Sequence, residues 1–353
     1  MKKIEWSGFL RDLRFYFSRK LDFPFIAPYN LTLNLAYRCN QRCIMCLIKK
    51  DNISPEVELS LEEIKDIIDQ AADWGIPEIV LTGGEPLILK EIFAIIDYAA
   101  GKNVRPTLIT NCFCGRDIVE RLKTAPLAHM QVSVDGADAA THDYIRQSPG
   151  SFAVTIANLK ELIAAGGRKY TINATTTIMN QNVGQLLEIA ELMKDIGVHK
   201  LSIRPAHHDN SNPMQTDKIN NAYWIPPERL NVLSEQLGKL CDYHNQTDFI
   251  DCRPGFKYIE EYYKNGYIRP TDSCYNGYNR LVIAYNERDS YEVWMCAGML
   301  GDIRKSSLYK IWRSPKAKEA RKKMRFCKKS CVLPCCYESG LENLVSIIRK
   351  NLK

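Results

Sequence analysis

The stretch that decides the fold is Cys39-Asn40-Gln41-Arg42-Cys43-Ile44-Met45-Cys46, which follows an apolar run at residues 31–36. Its three cysteines, called the cysteine triad below, can hold one iron–sulfur cube and leave the fourth iron without a protein ligand. A structural zinc site is the alternative. Zinc needs a closed set of four ligands, however, and no fourth Cys or His lies nearby in the sequence. The spacing therefore favours a cluster whose open iron is a place for chemistry.

A second motif follows a strand-like run at residues 78–82. Gly83 and Gly84 let the backbone approach a ligand closely, and the carboxylate of Glu85, before Pro86, can accept a hydrogen bond from a ligand ammonium group. Alone, this motif is also typical of an ordinary turn. Together with the cysteine triad it resembles the radical S-adenosylmethionine (SAM) superfamily. The resemblance implies a 4Fe-4S cube on the triad, with the methionine amino and carboxylate groups of SAM on the open iron.

Composition agrees with an enzyme of this kind. With 353 residues and 45% hydrophobic content, the chain can bury a large core, which favours one catalytic domain with a smaller appendage. The net charge of +7 is mild for this length and does not imply nucleic acid. Charges interrupt residues 1–20, so no signal-peptide core is present, and no apolar run reaches transmembrane length. The 13 cysteines therefore indicate a cytoplasmic protein with cysteines bound to iron.

From residue 31 onward, apolar strands alternate with helical segments, the pattern of repeated parallel βα units. Ser60 and Glu63 form a capping box, and Gly75 ends the helix that it starts. Strands are predicted at residues 31–36, 79–82, 107–110, 130–134, 171–178 and 201–203. The six units match the α/β fold that the resemblance implies, a partial six-stranded parallel (β/α)6 barrel. Its active site is expected at the carboxyl ends of the strands.

Further matches to the family lie at those strand ends. The third strand ends in Thr-Asn, where relatives often carry Thr-Asn-Gly, and residues 133–136 resemble the Ser-x-Asp-Gly of the subgroup with auxiliary clusters. Residues 142–152 continue that subgroup's pattern. The SAM-contacting residues implied by the resemblance are Met45 at the adenine, Ser133 and Arg146 at the ribose and carboxylate, and Asn111 and Asp135 beside them. A serine at a strand end and a loop arginine are also common as a cap and a solvated charge.

Cysteines return in the C-terminal third at a density that a reducing-compartment protein does not use for packing alone. Their layout resembles the SPASM extension, or its shorter twitch form, which binds one or two auxiliary 4Fe-4S clusters. The chain departs from the family at Tyr291, where a glycine is usual, and in the spacing of the last cysteines. One auxiliary cluster is favoured, with two clusters or a zinc knob as alternatives. Its predicted ligands are Cys274, Cys296, Cys331 and either Cys335 or Cys336, with Cys327 as a substitute.

These patterns divide the chain into five predicted segments. They are an N-terminal amphipathic extension at 1–30, the radical SAM barrel at 31–205, a helical connector at 206–251, a small cysteine-rich auxiliary-cluster domain at 252–340 and a C-terminal helix at 341–353.

The resemblance implies an oxidoreductase-type reaction. A reductase such as flavodoxin or ferredoxin would supply an electron, and SAM would be cleaved to methionine and a 5'-deoxyadenosyl radical that takes a hydrogen atom from the substrate. An auxiliary cluster that accepts the remaining electron makes the net reaction an oxidation. Relatives with this extension act on peptides, sulfatases or sugar-like alcohols, so the substrate is a small molecule or a peptide. The short segment at 1–30, without the winged helix common in peptide-modifying relatives, favours the small molecule.

Cys112 stands where relatives usually place the glycine after Thr-Asn, close to the expected SAM site. A thiol there can donate a hydrogen atom to a substrate radical, which would make the enzyme an epimerase. We therefore predict a catalytic role for Cys112, with Cys114 as a second candidate; the alternative is a small buried cysteine without chemistry.

Two other classes of protein are alternatives to a cytoplasmic enzyme. A non-catalytic iron–sulfur carrier has no use for the SAM-binding motif at 83–86. A membrane-surface enzyme is indicated by residues 6–20, where apolar and basic residues alternate as in an interfacial helix, although most such helices dock on their own domain. Nucleic acid is not expected as a partner, because the basic run at 316–329 lacks interleaved stacking aromatics.

Overall fold

A computed structural model describes residues 6–46, 58–206, 222–252, 255–265, 275–286 and 290–325. The strands within them are β1 Asn30–Ala36, β2 Glu78–Gly83, β3 Arg105–Thr110, β4 His129–Ser133, β5 Thr171–Ile178, β6 Leu201–Pro205, β7 Ile250–Asp251, β8 Arg280–Asn286, β9 Ser290–Met295 and β10 Gly298–Asp302. All ten belong to one sheet with the order β10-β9-β8-β1-β2-β3-β4-β5-β6-β7.

The six predicted strands are present and pair in parallel in chain order, β1 to β6, which confirms the α/β class. Parallel neighbours joined by helices are the expected result of repeated βα units. Within the described residues the sheet is open, with β7 and β10 as its edge strands.

The C-terminal third does not form a sheet of its own in the part that the structure describes. Strand β8 pairs in parallel with β1, with Asn30 opposite Arg280, and β9 and β10 follow it in antiparallel order. These strands therefore continue the barrel sheet on the outer side of β1. The predicted boundary between barrel and cysteine-rich segment crosses a hydrogen-bonded sheet.

The helices of the described residues are α1 Trp6–Lys20, α2 Leu61–Trp74, α3 Ile92–Gly101, α4 Arg116–Leu122, α5 Ala139–Arg146, α6 Ser151–Ala164, α7 Leu186–Ile196, α8 Leu230–Thr247, α9 Phe256–Asn265, α10 Asn276–Asn279, α11 Leu308–Trp312 and α12 Pro315–Arg325. The predicted capping box is present at α2: Ser60 accepts from the Glu63 amide, and the Glu63 carboxylate accepts from the Ser60 amide. Gly75 ends this helix at φ 80°, a left-handed conformation that suits glycine. None of the described helices combines the length and the apolar character needed to cross a membrane.

One core runs through the sheet and the helices against it. Strand β1 buries Leu31, Leu33 and Leu35, and α2 contributes Ile67 and Ile68. Burial of this apolar surface fixes the strands, and the strands in turn fix the loops that follow them.

Candidate active site

The predicted site residues gather at the carboxyl ends of the parallel strands. This edge of the sheet runs across the strand ends and is distinct from the edge strands β7 and β10. The loop with the cysteine triad follows β1, the Gly-Gly-Glu-Pro motif ends and follows β2, Asn111 follows β3 and Asp135 follows β4. Because carboxyl ends of parallel strands share an edge, residues far apart in sequence meet there. Helix α5, which the sequence analysis missed, brings Arg146 to the same place.

The cysteine loop is held by backbone hydrogen bonds to the end of α5. The amide of Arg42 donates to the Arg146 carbonyl at 3.1 Å, and the amide of Ile44 donates to the Ile145 carbonyl at 2.9 Å. Within the described residues, no three His, Cys, Asp or Glu side chains are grouped to hold a single metal ion. In a 4Fe-4S cube each cysteine binds a different iron. The three cysteines of the triad therefore need to surround the cube and need not converge on a single metal ion.

Gly83 and Gly84 lie directly against the cysteine loop. A Cβ atom on Gly83, whose φ is +132°, would lie 2.3 Å from the Ala36 carbonyl oxygen, and one on Gly84 would lie 2.0 Å from the Arg38 carbonyl oxygen. Real Cβ atoms do not approach backbone oxygens this closely, so only glycine fits both positions. Sequence reasoning expected the glycines to approach a ligand. In the structure their close neighbour is the backbone that precedes the triad.

Glu85 is a buried carboxylate at the centre of this edge. Its Oε1 accepts from the Leu87 amide at 2.9 Å and the Thr110 hydroxyl at 2.7 Å, and its Oε2 accepts from the Asn111 amide at 2.7 Å. Burial raises the pKa of Glu85, and the hydrogen bonds from Asn111, Thr110 and Leu87 work in the opposite direction. A carboxylate oxygen accepts two hydrogen bonds, so Oε2 can take one more from a ligand ammonium group. Pro86, also buried, begins the short 3₁₀ helix Pro86–Ile88.

Asn111 connects β3 to the cysteine loop. Its Nδ2 donates to Asn40 Oδ1 at 2.8 Å, and its Oδ1 accepts from the Phe113 amide at 2.8 Å. Asn40 in turn donates from Nδ2 to the Phe113 carbonyl at 2.6 Å. Through these bonds Asn111 positions the cysteine loop, which explains why an asparagine follows β3.

Asp135 and Arg146 form a buried ion pair beside the triad. Arg146 Nη2 lies 2.6 Å from Asp135 Oδ2, and Arg146 Nη1 donates to Cys43 Sγ at 3.7 Å. Burial works to lower the pKa of Arg146, but Asp135 and Cys43 outweigh it, so the arginine stays charged. Its Nε is buried with no hydrogen-bond partner in the described structure. A cation with an unused donor next to Cys43 fits the carboxylate of SAM on a cluster held by the triad.

The residues between Asp135 and α6 serve mainly to place Arg146. His142 Nδ1 accepts from the Asp135 amide at 3.3 Å, and the pKa of His142 is lowered to about 3 by burial and by the charge of Arg146. This ring is therefore neutral at physiological pH. Asp143 accepts from the amides of Gly150 and Phe152, at 2.6 and 2.7 Å, and so joins α5 to α6.

Three further predicted residues occupy different surroundings. Ser133, at the end of β4, is half-buried, and Met45 packs with Ile44 against a small cluster of buried apolar side chains that includes Ile145. Cys112 is fully buried in the main core at φ 55°, and its pKa is raised well above the usual value by a hydrogen bond with Cys114 and by burial. Its donor role stays a prediction.

Of the predicted auxiliary ligands, the structure describes Cys296 alone. It follows β9, which runs antiparallel to β8, and therefore lies at the sheet edge where β1 begins, opposite the triad. Cys274, Cys327, Cys331, Cys335 and Cys336 lie outside the described residues.

Comparison with known proteins agrees with this geometry. Residues 33–205 match the model of the radical SAM superfamily. The chain is 34% identical over 172 residues to an AdoMet-dependent heme synthase of Methanosarcina barkeri. This match covers 48% of this chain and 48% of the relative. The chain is also 34% identical over 172 residues to the mycofactocin maturase MftC of Mycobacterium ulcerans, covering 48% of this chain and 46% of the relative. The matched part thus spans about half the length of these curated relatives.

Solved structures show the same fold over most of the chain. Streptococcus suis SuiB bound to S-adenosylmethionine superposes with a TM-score of 0.65 at 14% identity, over 93% of this chain and 76% of SuiB. Native anSMEcpe with bound AdoMet has a TM-score of 0.64 at 15% identity, over 92% of this chain and 100% of its own.

Proposed function

Because residues 33–205 form a radical SAM domain, we propose that this chain is an enzyme that reductively cleaves SAM and oxidises a small-molecule or peptide substrate. One observation supports this best: the cysteine loop, the open acceptor of Glu85 and the unused donor of Arg146 meet at one edge of the sheet. They offer a cluster site, an ammonium acceptor and a carboxylate donor within one constellation.

The cluster, when bound to the triad, supplies the electron that splits SAM into methionine and a 5'-deoxyadenosyl radical. The residues of this chain hold and orient SAM. Glu85 Oε2 accepts from the amino group, Arg146 Nε donates to the carboxylate, and Asp135 keeps the guanidinium in place. Ser133 and Met45 complete the site at the ribose and the adenine. A substrate bound at the same ends of the strands would give up a hydrogen atom to this radical, which would leave as 5'-deoxyadenosine.

The net reaction is an oxidation if an auxiliary cluster accepts the electron left on the substrate radical. We assign that cluster to Cys274, Cys296, Cys331 and one of the adjacent cysteines 335 and 336, with a flavodoxin or ferredoxin as the reductant. The proteins of similar sequence include a mycofactocin maturase and a heme synthase, and SuiB, which shares the fold, has been seen bound to the precursor peptide SuiA. Both a small molecule and a peptide are therefore candidate substrate classes.

Iron analysis of anaerobically reconstituted protein tests the barrel site. Replacing the three triad cysteines by Ala should remove one 4Fe-4S unit and abolish the formation of 5'-deoxyadenosine. Cys241→Ala, on α8 and outside both predicted sets, is the matched control and should keep full iron and activity. A triple variant that retains iron and still makes 5'-deoxyadenosine would show that the assignment is wrong.

A second variant tests the auxiliary cluster separately. Cys274→Ala with Cys296→Ala should remove about one cube. SAM cleavage without substrate should persist, because Cys296 lies at the opposite edge of the sheet from the triad. Zinc in place of iron at this site would contradict the proposal, as would unchanged iron content in the double variant.

A further inference from the structure

Helix α1 is fixed to its own fold by one face. Phe15 and Ser18 are buried, and Phe15 packs with Tyr275 and Tyr278 in a separate apolar cluster. The Tyr278 hydroxyl also donates to Asp22 Oδ1 at 2.8 Å, just after the helix. This face accounts for the docking that an amphipathic N-terminal helix usually shows.

A neighbouring face of α1 is also apolar, and it faces solvent. Leu10, Phe17 and Leu21 are 49%, 47% and 63% exposed, and their spacing of seven and four residues places them along one side of a helix. Phe23 and Phe25, which follow the helix closely in the chain, are 45% and 49% exposed, with rings 5.0 Å apart. These five residues, called the apolar ridge below, are five of the nine large hydrophobic side chains found exposed in the described part of the chain. Such clustering marks an interaction surface.

Basic groups accompany the ridge. Arg14 lies on the same stripe between Leu10 and Phe17 and is exposed, as is Lys20 at the end of α1. Arg313 lies over the Phe23 ring, 5.0 Å from its centroid. The acidic Asp22 is already held by Tyr278. The ridge therefore has the composition of an interfacial helix, apolar rings flanked by cations.

A cleft beside the ridge is likewise lined by apolar and basic side chains. It encloses about 480 Å³, and its lining includes Leu10, Arg11 and Arg14 of α1 together with Tyr29 and Pro77. Tyr29 and Pro77 directly precede β1 and β2, so the cleft lies at the edge where the strands begin. The triad lies at the other edge. A surface bound at the ridge would leave the candidate active site accessible.

We propose that the apolar ridge docks on a bilayer that contains anionic phospholipid. The phenylalanine rings and leucines enter the boundary of the acyl chains, while Arg14 and Lys20 lie at the level of the phosphates. A second copy of the chain is a poorer occupant. In a two-fold dimer through this surface, the cations of one ridge would lie near the cations of the other and repel them. The proposal does not depend on the chemistry at the triad.

Flotation of the full-length protein with lipid vesicles tests it. The parent should bind vesicles of phosphatidylcholine with phosphatidylserine, bind pure phosphatidylcholine weakly, and lose binding as salt is raised. Phe17→Ser with Leu21→Ser should lower binding about tenfold or more, and Arg14→Gln with Lys20→Gln should lower it on the order of tenfold. Far-UV circular dichroism verifies that these exposed changes leave the fold intact.

Matched controls separate the ridge from general surface effects. Tyr258→Ser removes an exposed ring on α9, and Lys160→Gln with Lys239→Gln removes two charges from α6 and α8; both should bind as the parent does. The proposal is overturned if the parent does not bind anionic vesicles, if it binds neutral ones equally, or if the ridge variants bind unchanged. A ridge variant that turns a dimer into a monomer without altering vesicle binding would show that a second copy covers the ridge.

Discussion

Arg146→Met should destabilise the protein strongly. Asp135 is 0% exposed and Arg146 is 7% exposed, and their charged atoms lie 2.6 Å apart. Methionine keeps much of the volume but leaves the Asp135 carboxylate with the Thr177 amide, at 2.8 Å, as its remaining described partner. Removing one member of a buried pair costs about 3–5 kcal/mol. We expect a loss of free energy of unfolding in this range near neutral pH.

A double-mutant cycle identifies the pair as the cause. Asp135→Asn alone should also destabilise, because it leaves a buried guanidinium that contacts Cys43 but lacks a carboxylate. Asp135→Asn with Arg146→Met removes both charges and should cost less than the sum of the two single changes. Residues in contact show interaction energies of about 0.5–3 kcal/mol in such cycles.

The pH dependence provides a further check. Burial raises the pKa of Asp135 and Arg146 holds it down, so the carboxyl of the Arg146→Met variant should have a pKa that is higher still. A carboxyl whose pKa is higher in the folded than in the unfolded state binds its proton more tightly when folded. The variant should therefore regain stability as the pH falls through the folded-state pKa, and its deficit should be largest above it.

Anaerobic urea unfolding is followed by far-UV circular dichroism and repeated from neutral to mildly acidic pH. It measures the stability loss of each variant, the interaction energy between Asp135 and Arg146, and the pH dependence of the loss. The reasoning is refuted if Arg146→Met lies within about 1 kcal/mol of the parent, or if the two single changes simply add. A deficit that grows as the pH falls would equally contradict it.

Three other substitutions test the same edge of the sheet. Glu85→Gln should weaken SAM binding in titration calorimetry and cost about 1–3 kcal/mol of stability, because one buried donor loses its acceptor. Gly84→Ala should prevent cluster assembly, seen as a loss of visible absorbance, because its Cβ would lie 2.0 Å from the Arg38 carbonyl oxygen; Gly101→Ala, with no atom within 4 Å, is the control that should assemble normally. Cys112→Ala should lower stability by about 1 kcal/mol through a small cavity. If Cys112 is also the hydrogen donor, turnover in deuterated water should label the product, and this variant should lose the label; unlabelled product from the parent would exclude the role.

The features predicted from sequence are those encoded over a few residues. The triad spacing, the Gly-Gly-Glu-Pro motif and the capping box at Ser60 all lie within short windows, so their chemistry follows from residue type and order. The six parallel strands also followed from local periodicity. Helix α5 was missed, because the residues around Arg146 were assigned to a loop after the fourth strand.

The tertiary structure alone decided which distant residues meet. The contact between Arg146 and Cys43 joins positions 103 residues apart, and strand β8 pairs with β1 across most of the chain. Gly84 must be glycine because the Arg38 backbone lies against it, a neighbour that no local window contains. The sequence predicted an amphipathic helix at residues 6–20, but only the structure showed that Phe15 is buried while Leu10 and Phe17 stay exposed. Local composition determines which residues can do chemistry, whereas long-range packing of the sheet determines which of them lie close enough to do it together.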